Sequence, residues 1–137
     1  MEKLFSTSHR LHLQFETLLA AYDLPDSITG PRLRFLVTVE AAGQIRMGDM
    51  AVKCGIAPRT VTQFVDALEQ ADLLVRLPDP DDRRATLLEL TETAKPLISK
   101  ARKAMQESAE KVLAPLTPEK LTELFEILNR LTEPRQS

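Results

Sequence analysis

Apolar residues recur at helical spacing through most of the chain, and the breaks between the runs are polar, glycine-containing or proline-rich. Leu11, Phe15, Leu18 and Leu19 define a first helix over Leu4 to Tyr22, which the stretch "DLPDS" ends. A second helix has Thr29 as N-cap and Pro31 in its first turn, runs on through Leu33, Leu36 and Val37, and stops at Gly43. A third, short helix spans about Met47 to Cys54 and ends at Gly55. The fourth begins at Pro58 and places Val61, Phe64, Val65 and Leu68 on one stripe. A short helix, a glycine turn and a longer helix in that order predict a helix-turn-helix.

The period then changes. "DLLVRLP" and "ATLLELT" are short apolar runs separated by a polar, proline-containing stretch. They predict two antiparallel strands around a loop from Asp79 to Arg84. Helical spacing returns afterwards. Thr91 or Thr93 caps a long helix reaching about Leu113, and Pro96 in the first turn favours Thr93. Leu97, Ala101, Ala104, Met105 and Val112 form its apolar stripe. Thr117 caps a last helix with Pro118 at its first position and Leu121, Leu124, Phe125, Leu128 and Leu131 on one face. The expected fold is mainly α: a winged helix-turn-helix core with a two-stranded wing, flanked by N- and C-terminal dimerisation helices. The expected segments are 1–27, 28–91 and 92–137. The outer helices carry broad apolar faces beside a core that is already complete, so a second copy is the expected cover, in a two-fold dimer.

Composition narrows the class. The chain has 137 residues, 43% hydrophobic and 28% charged, which suits one globular domain with helical extensions. No apolar run approaches the ~20 residues of a membrane span, and the N-terminus lacks the apolar core of a signal peptide. The expected location is the cytoplasm, with no membrane partner. A single cysteine, Cys54, excludes an internal disulfide framework and offers no zinc spacing. His9 and His12 stand three apart without a supporting carboxylate or thiol, so no metal and no cofactor are expected. Enzyme chemistry has no footing: there is no paired-carboxylate motif, no Ser/His/Asp set and no phosphate-binding glycine loop.

The net charge of −2 argues against indiscriminate coating of nucleic acid, but not against a local reading surface. From Arg46 to Arg84 the chain holds six basic residues (Arg46, Lys53, Arg59, Arg76, Arg83, Arg84) and seven acidic ones (Asp49, Asp66, Glu69, Asp72, Asp79, Asp81, Asp82). The start of the fourth helix, "IAPRTVTQ", has an arginine and no acid. Arg59, Thr60, Thr62 and Gln63 lie on the faces away from Val61, Phe64 and Val65. That is where a helix-turn-helix reads base edges, with Arg suited to guanine and Gln to adenine. Ala57, at the N-cap, leaves the first-turn amides free for a DNA phosphate or for water. Few phosphate contacts imply a shallow salt dependence, a slope of about −4 to −6 for a dimer.

The stretch "GDMAVKCGIAPRTVTQFVDALEQADLLVRLPDPDDRRATLLELTETA" resembles the core of MarR-type bacterial transcriptional regulators. The resemblance rests on Met50-Ala51 in the third helix, "TVTQFVDALEQADLL", the Asp-x-Arg of Asp82-Arg83-Arg84 and the following "LT". It implies double-stranded DNA as partner, a homodimer, and a sequence-specific regulator, expected to be a repressor at a pseudo-palindromic operator. It also implies that Arg84 enters the minor groove with Asp82 orienting it, and Arg83 is expected to meet a phosphate; Asp79 and Asp81 read as turn formers. Many such regulators release DNA when a small molecule binds between the dimerisation helices and the winged helix; here that points to His12, Phe15, Arg32 and Phe35. Three positions depart from the pattern: Arg46-Met47 replaces a Ser or Thr cap, Ala94 replaces a glycine after "LT", and Asp72 stands where glycine is frequent. Cys54 reads as a buried apolar thiol rather than an oxidant sensor. The alternative function is a winged helix used only for protein–protein contact.

Overall fold

The computed structural model describes residues 1–133; residues 134–137, the end of the expected C-terminal segment, lie outside the described residues. Six helices and three strands follow in the order α1 (Glu2–Ala20), α2 (Gly30–Ala42), β1 (Gln44–Arg46), α3 (Met47–Cys54), α4 (Pro58–Gln70), β2 (Leu74–Pro78), β3 (Thr86–Leu90), α5 (Ala94–Leu113) and α6 (Pro118–Thr132). The strands form one antiparallel sheet in the order β1-β3-β2. The wing hairpin is therefore joined by a third strand that the hydrophobic pattern did not predict. Three residues are too few to show a period, and β1 exists only because Ile45 pairs opposite Leu88 of β3.

The core sits where α2, α3 and α4 meet this sheet. Leu33, Leu36 and Val39 of α2, Met50 of α3, Val61, Val65 and Leu68 of α4, and Leu88 of β3 are all buried. Phe35 is buried too, its ring edge-on to Phe64 at 5.8 Å between centroids and 89° between planes. Gly55 closes α3 at φ 64°, and the amide of Ile56 returns to the carbonyl of Ala51. This left-handed cap sets the turn that aims α4.

The same cap ends α4 without a glycine. Asp72 takes φ 60°, and the Leu73 amide reaches back to the Leu68 carbonyl. A side chain in the left-handed region is strained, so Asp72→Gly is expected to raise stability by up to about 1 kcal/mol. Urea unfolding of the two chains checks this; equal midpoints would show that the turn carries no strain. The Asp72 carbonyl also accepts the Thr91 hydroxyl at 2.6 Å, while Thr91 Oγ1 accepts the Ala94 amide at 3.2 Å. Thr93 stands at the N-cap position of α5, but the side-chain bond to its first turn comes from Thr91. Thr93 is already helical at φ −62°, ψ −33°, and its side chain makes no capping bond.

The buried face of α5 is Ala94, Ile98, Ala101, Ala104 and Ser108. Leu97, Met105 and Val112, expected on this stripe, flank it and are half-buried. Helix α1 packs along α5, and two bonds fix its end: the Tyr22 hydroxyl donates to Glu107 at 2.7 Å, and Lys100 Nζ to the Asp23 carbonyl at 2.7 Å. Neither α1 nor α6 has a buried residue in the single chain. Phe5 of α1 and Phe125, Ile127, Leu128 and Leu131 of α6 are exposed apolar side chains. No described helix is long and apolar enough to cross a membrane.

Candidate nucleic-acid interface

Helix α4 is amphipathic from its first residue. Val61, Val65 and Leu68 anchor it in the core, which turns Arg59, Thr62 and Gln63 to solvent and leaves Thr60 half-buried at the boundary. Pro58 fixes the first turn, and no side chain caps it. The Thr62 hydroxyl donates to the Pro58 carbonyl at 3.2 Å, so its oxygen is left facing outward as an acceptor.

The wing loop joins Pro78 to Thr86, the last pair of the β2–β3 ladder. Two aspartates shape it through backbone bonds. Asp79 Oδ1 accepts the Asp81 amide at 2.9 Å, and Asp82 Oδ1 accepts the Arg84 amide at 3.0 Å. The resemblance implied that Asp82 orients Arg84. The observed contact is to the Arg84 main chain; no Asp82–Arg84 ion pair forms among the described residues. A bend stabilised by an aspartate two residues earlier is an Asx turn. It leaves the guanidinium of Arg84, and that of Arg83, exposed at the tip.

Asp79 is more than a turn former. Its side chain is only 4% exposed, and Oδ2 accepts Arg46 Nε at 2.7 Å. The Asp81 amide first, then the Arg46 guanidinium, hold the carboxyl below its ordinary value of 3.8, against the opposing effect of burial. The folded value lies below the unfolded one, so the stabilisation is complete above the unfolded value and is lost as pH falls through the folded value. The stability advantage of wild type over Asp79→Asn is therefore expected to shrink as pH falls from about 5 to about 3. Urea titrations at a series of pH values measure it, and a gap independent of pH would contradict the assignment.

Pairing also changes the charge of the surface. Arg76 on β2 binds Asp66 and Glu69 on α4, at 2.5 and 2.7 Å. With Asp79 held by Arg46, two arginines engage three of the seven acids between Arg46 and Arg84, and Asp49, Asp72, Asp81 and Asp82 make no ion pair among the described residues. Lys53, Arg59, Arg83 and Arg84 make no ion pair among the described residues and are exposed. Sequence counting sees the total and misses this sorting.

The four residues expected to line an effector pocket do not share one cavity. His12 is exposed and pairs with Glu16 on its own helix at 3.1 Å. Phe15 is half-buried and lies against Gly30. Arg32 donates to the Ser27 carbonyl at 3.2 Å and lies over the Phe64 ring, and Phe35 packs edge-on to that ring inside the core. The reason is the facing of α2: these two positions look toward α4 rather than toward α1. A hollow of about 290 Å³ lies instead at the α1–α2 junction, lined by residues including Leu19, Tyr22, Leu24 and Ile28 with Glu16 and Asp26. Cys54 is half-buried against the core, its sulfur 4.0 Å from the Thr38 hydroxyl.

A helix-turn-helix whose second helix and wing carry unpaired arginines defines a winged helix-turn-helix protein. Residues 28–86 match the family model of the MarR family. Over 100 residues it is 30% identical to an uncharacterized HTH-type transcriptional regulator, YhbI, of Bacillus subtilis (strain 168). That match covers 73% of this chain and 65% of the relative. With two further B. subtilis relatives, YdgJ and YfiV, the matches span 63% and 64% of the relatives' own length, again less than two thirds. Among solved structures, the transcriptional repressor CouR bound to a 23-mer DNA duplex superposes with a TM-score of 0.85 at 22% identity, over 95% of this chain and 89% of that one. A mutant MarR from E. coli complexed with operator DNA gives 0.83 at 18% identity, over 96% and 92%. At these identities the likeness is one of fold.

Proposed function

We propose that the protein is a cytoplasmic, homodimeric transcriptional regulator that binds double-stranded DNA sequence-specifically and represses by occluding a promoter. The observation that carries this reading is the sorting of charge: the acids of α4 are tied to Arg76, while Arg59, Arg83 and Arg84 are left free on α4 and the wing. Arg59 and Gln63 would read the major groove. Arg84 would enter the minor groove, where a narrow groove concentrates negative potential. The uncovered apolar faces of α1 and α6 support a two-fold dimer, which would set two recognition helices about 34 Å apart on a pseudo-palindromic operator. A small-molecule effector would release DNA by favouring a dimer with a different spacing. Its place would be the hollow at the α1–α2 junction, between the outer helix and the winged helix.

Selection from random duplexes tests the reading. The expected product is an inverted repeat whose half-sites lie about one helical turn apart. Recovery of no preferred sequence by a chain that is dimeric and folded would favour the alternative, a winged helix used for protein–protein contact.

A further inference from the structure

Arg46 is the N-cap residue of α3, yet its side chain caps nothing. It ends β1, pairs opposite Leu87 of β3, and reaches across the sheet to Asp79 at the foot of the wing loop beyond β2. One guanidinium therefore links the start of the helix-turn-helix to the root of the wing. From Asp79 the connection continues through short bonds. The Asp79 carboxylate holds the Asp81 amide, the Asp79 amide meets the Ala85 carbonyl at 3.4 Å, the Ala85 amide meets the Asp82 carbonyl at 3.0 Å, and Asp82 holds the Arg84 amide. The loop that presents Arg83 and Arg84 is thus tied, through Asp81, Ala85 and Asp82, to a carboxylate whose partner stands at the N-cap of α3.

We propose that Arg46, acting through Asp79, is a positioning residue that sets the wing arginines against the DNA groove in register with α4. The inference rests on the DNA-binding reading and deepens it. Asp79 is nearly inaccessible, so removing Arg46 leaves a buried carboxylate with main-chain amides alone, and the loop relaxes toward water to solvate it. Arg46 would then matter to DNA binding only through the arginines it places. Contact by Arg46 itself with a phosphate is the competing role, and the two differ in their energetic coupling.

The test is a double-mutant cycle on a duplex recovered by selection, with binding read by fluorescence anisotropy at fixed salt. Arg46→Met alone is expected to weaken binding about tenfold. If Arg84→Ala weakens the wild type roughly thirtyfold, it is expected to weaken the Arg46→Met chain only about threefold, because that wing is already misplaced. Arg59→Ala should cost the same factor in both backgrounds. Arg46→Lys is the second variant; it keeps the charge beside Asp79 but loses the Nε donor, and it is expected to reduce the same coupling without loss of fold. An Arg84→Ala cost that is equal in every background would overturn the proposal and assign Arg46 an independent contact. Exchange of the Asp81 and Arg84 amides in the free protein separates the layers. Faster exchange in Arg46→Met together with wild-type binding to no specific duplex would mean that the clamp exists but the DNA reading, and with it the positioning role, is wrong. Unchanged exchange would overturn the clamp itself.

Discussion

Arg84→Ala is expected to weaken specific DNA binding roughly thirtyfold while leaving the fold intact. The side chain is exposed at the wing tip and makes no ion pair among the described residues, so its removal opens no cavity and strands no partner. The loop that carries it is shaped by Asp79 and Asp82 through main-chain bonds, which alanine at position 84 preserves. The loss should concentrate on sites whose flanks have a narrow minor groove, because that groove is where an inserted arginine gains most. Arg59→Ala should cost a similar factor but relax preference at one base position in each half-site instead. Anisotropy titrations on a panel of single-base variants distinguish the two patterns. An Arg84→Ala chain that binds as tightly as wild type would remove the wing from the account.

The second large effect lies far from DNA. Paired substitutions Phe125→Glu and Leu128→Glu on α6 are expected to raise the dimer dissociation constant by more than about a hundredfold. Phe125 is 60% exposed and Leu128 46% exposed in the single chain, and α6 buries no residue of its own. In the proposed dimer a second copy would cover this face, and burying each such side chain would contribute about 1.5–3 kcal/mol. The same exposure means that the winged helix, whose core is built from α2, α3, α4 and the sheet, should unfold at nearly the wild-type temperature. Sedimentation equilibrium reads the mass and thermal unfolding the fold. Operator affinity should fall as well, because one particle no longer engages both half-sites. A wild-type chain that stays monomeric at every concentration would contradict the dimer directly.

Much of this arrangement is written locally and was legible as such. The stripe of Val61, Val65 and Leu68 fixes which side of α4 is free, and both threonine–proline starts behave as their sequence suggests. Thr29 accepts the Arg32 amide and Thr117 accepts the Lys120 amide, each at 3.3 Å. Contacts between distant residues were not legible. Strand β1 depends on a partner some forty positions later, and three residues carry no period of their own. The Arg46–Asp79 bond joins residues 33 apart. Its one visible trace was an arginine where a capping Ser or Thr belongs. Thr91 rather than Thr93 supplies the side-chain bond to the start of α5, its hydroxyl oriented by the carbonyl of the Asp72 turn nineteen residues upstream. The pocket expected at His12, Phe15, Arg32 and Phe35 required knowing which way α2 faces. Periodicity marks an apolar face but not the helix it meets.

Sequence-specific DNA binding is read by titrating the wild-type chain onto the duplex upstream of its own gene and onto a scrambled duplex of equal length, across a salt series. Binding to the first is expected to be at least about a thousandfold tighter at physiological salt. The log–log salt slope is expected to be shallow, about −4 to −6, as for a dimer with few phosphate contacts. Equal affinity for the upstream and scrambled duplexes, together with failure to enrich any site from random DNA, would contradict sequence-specific binding.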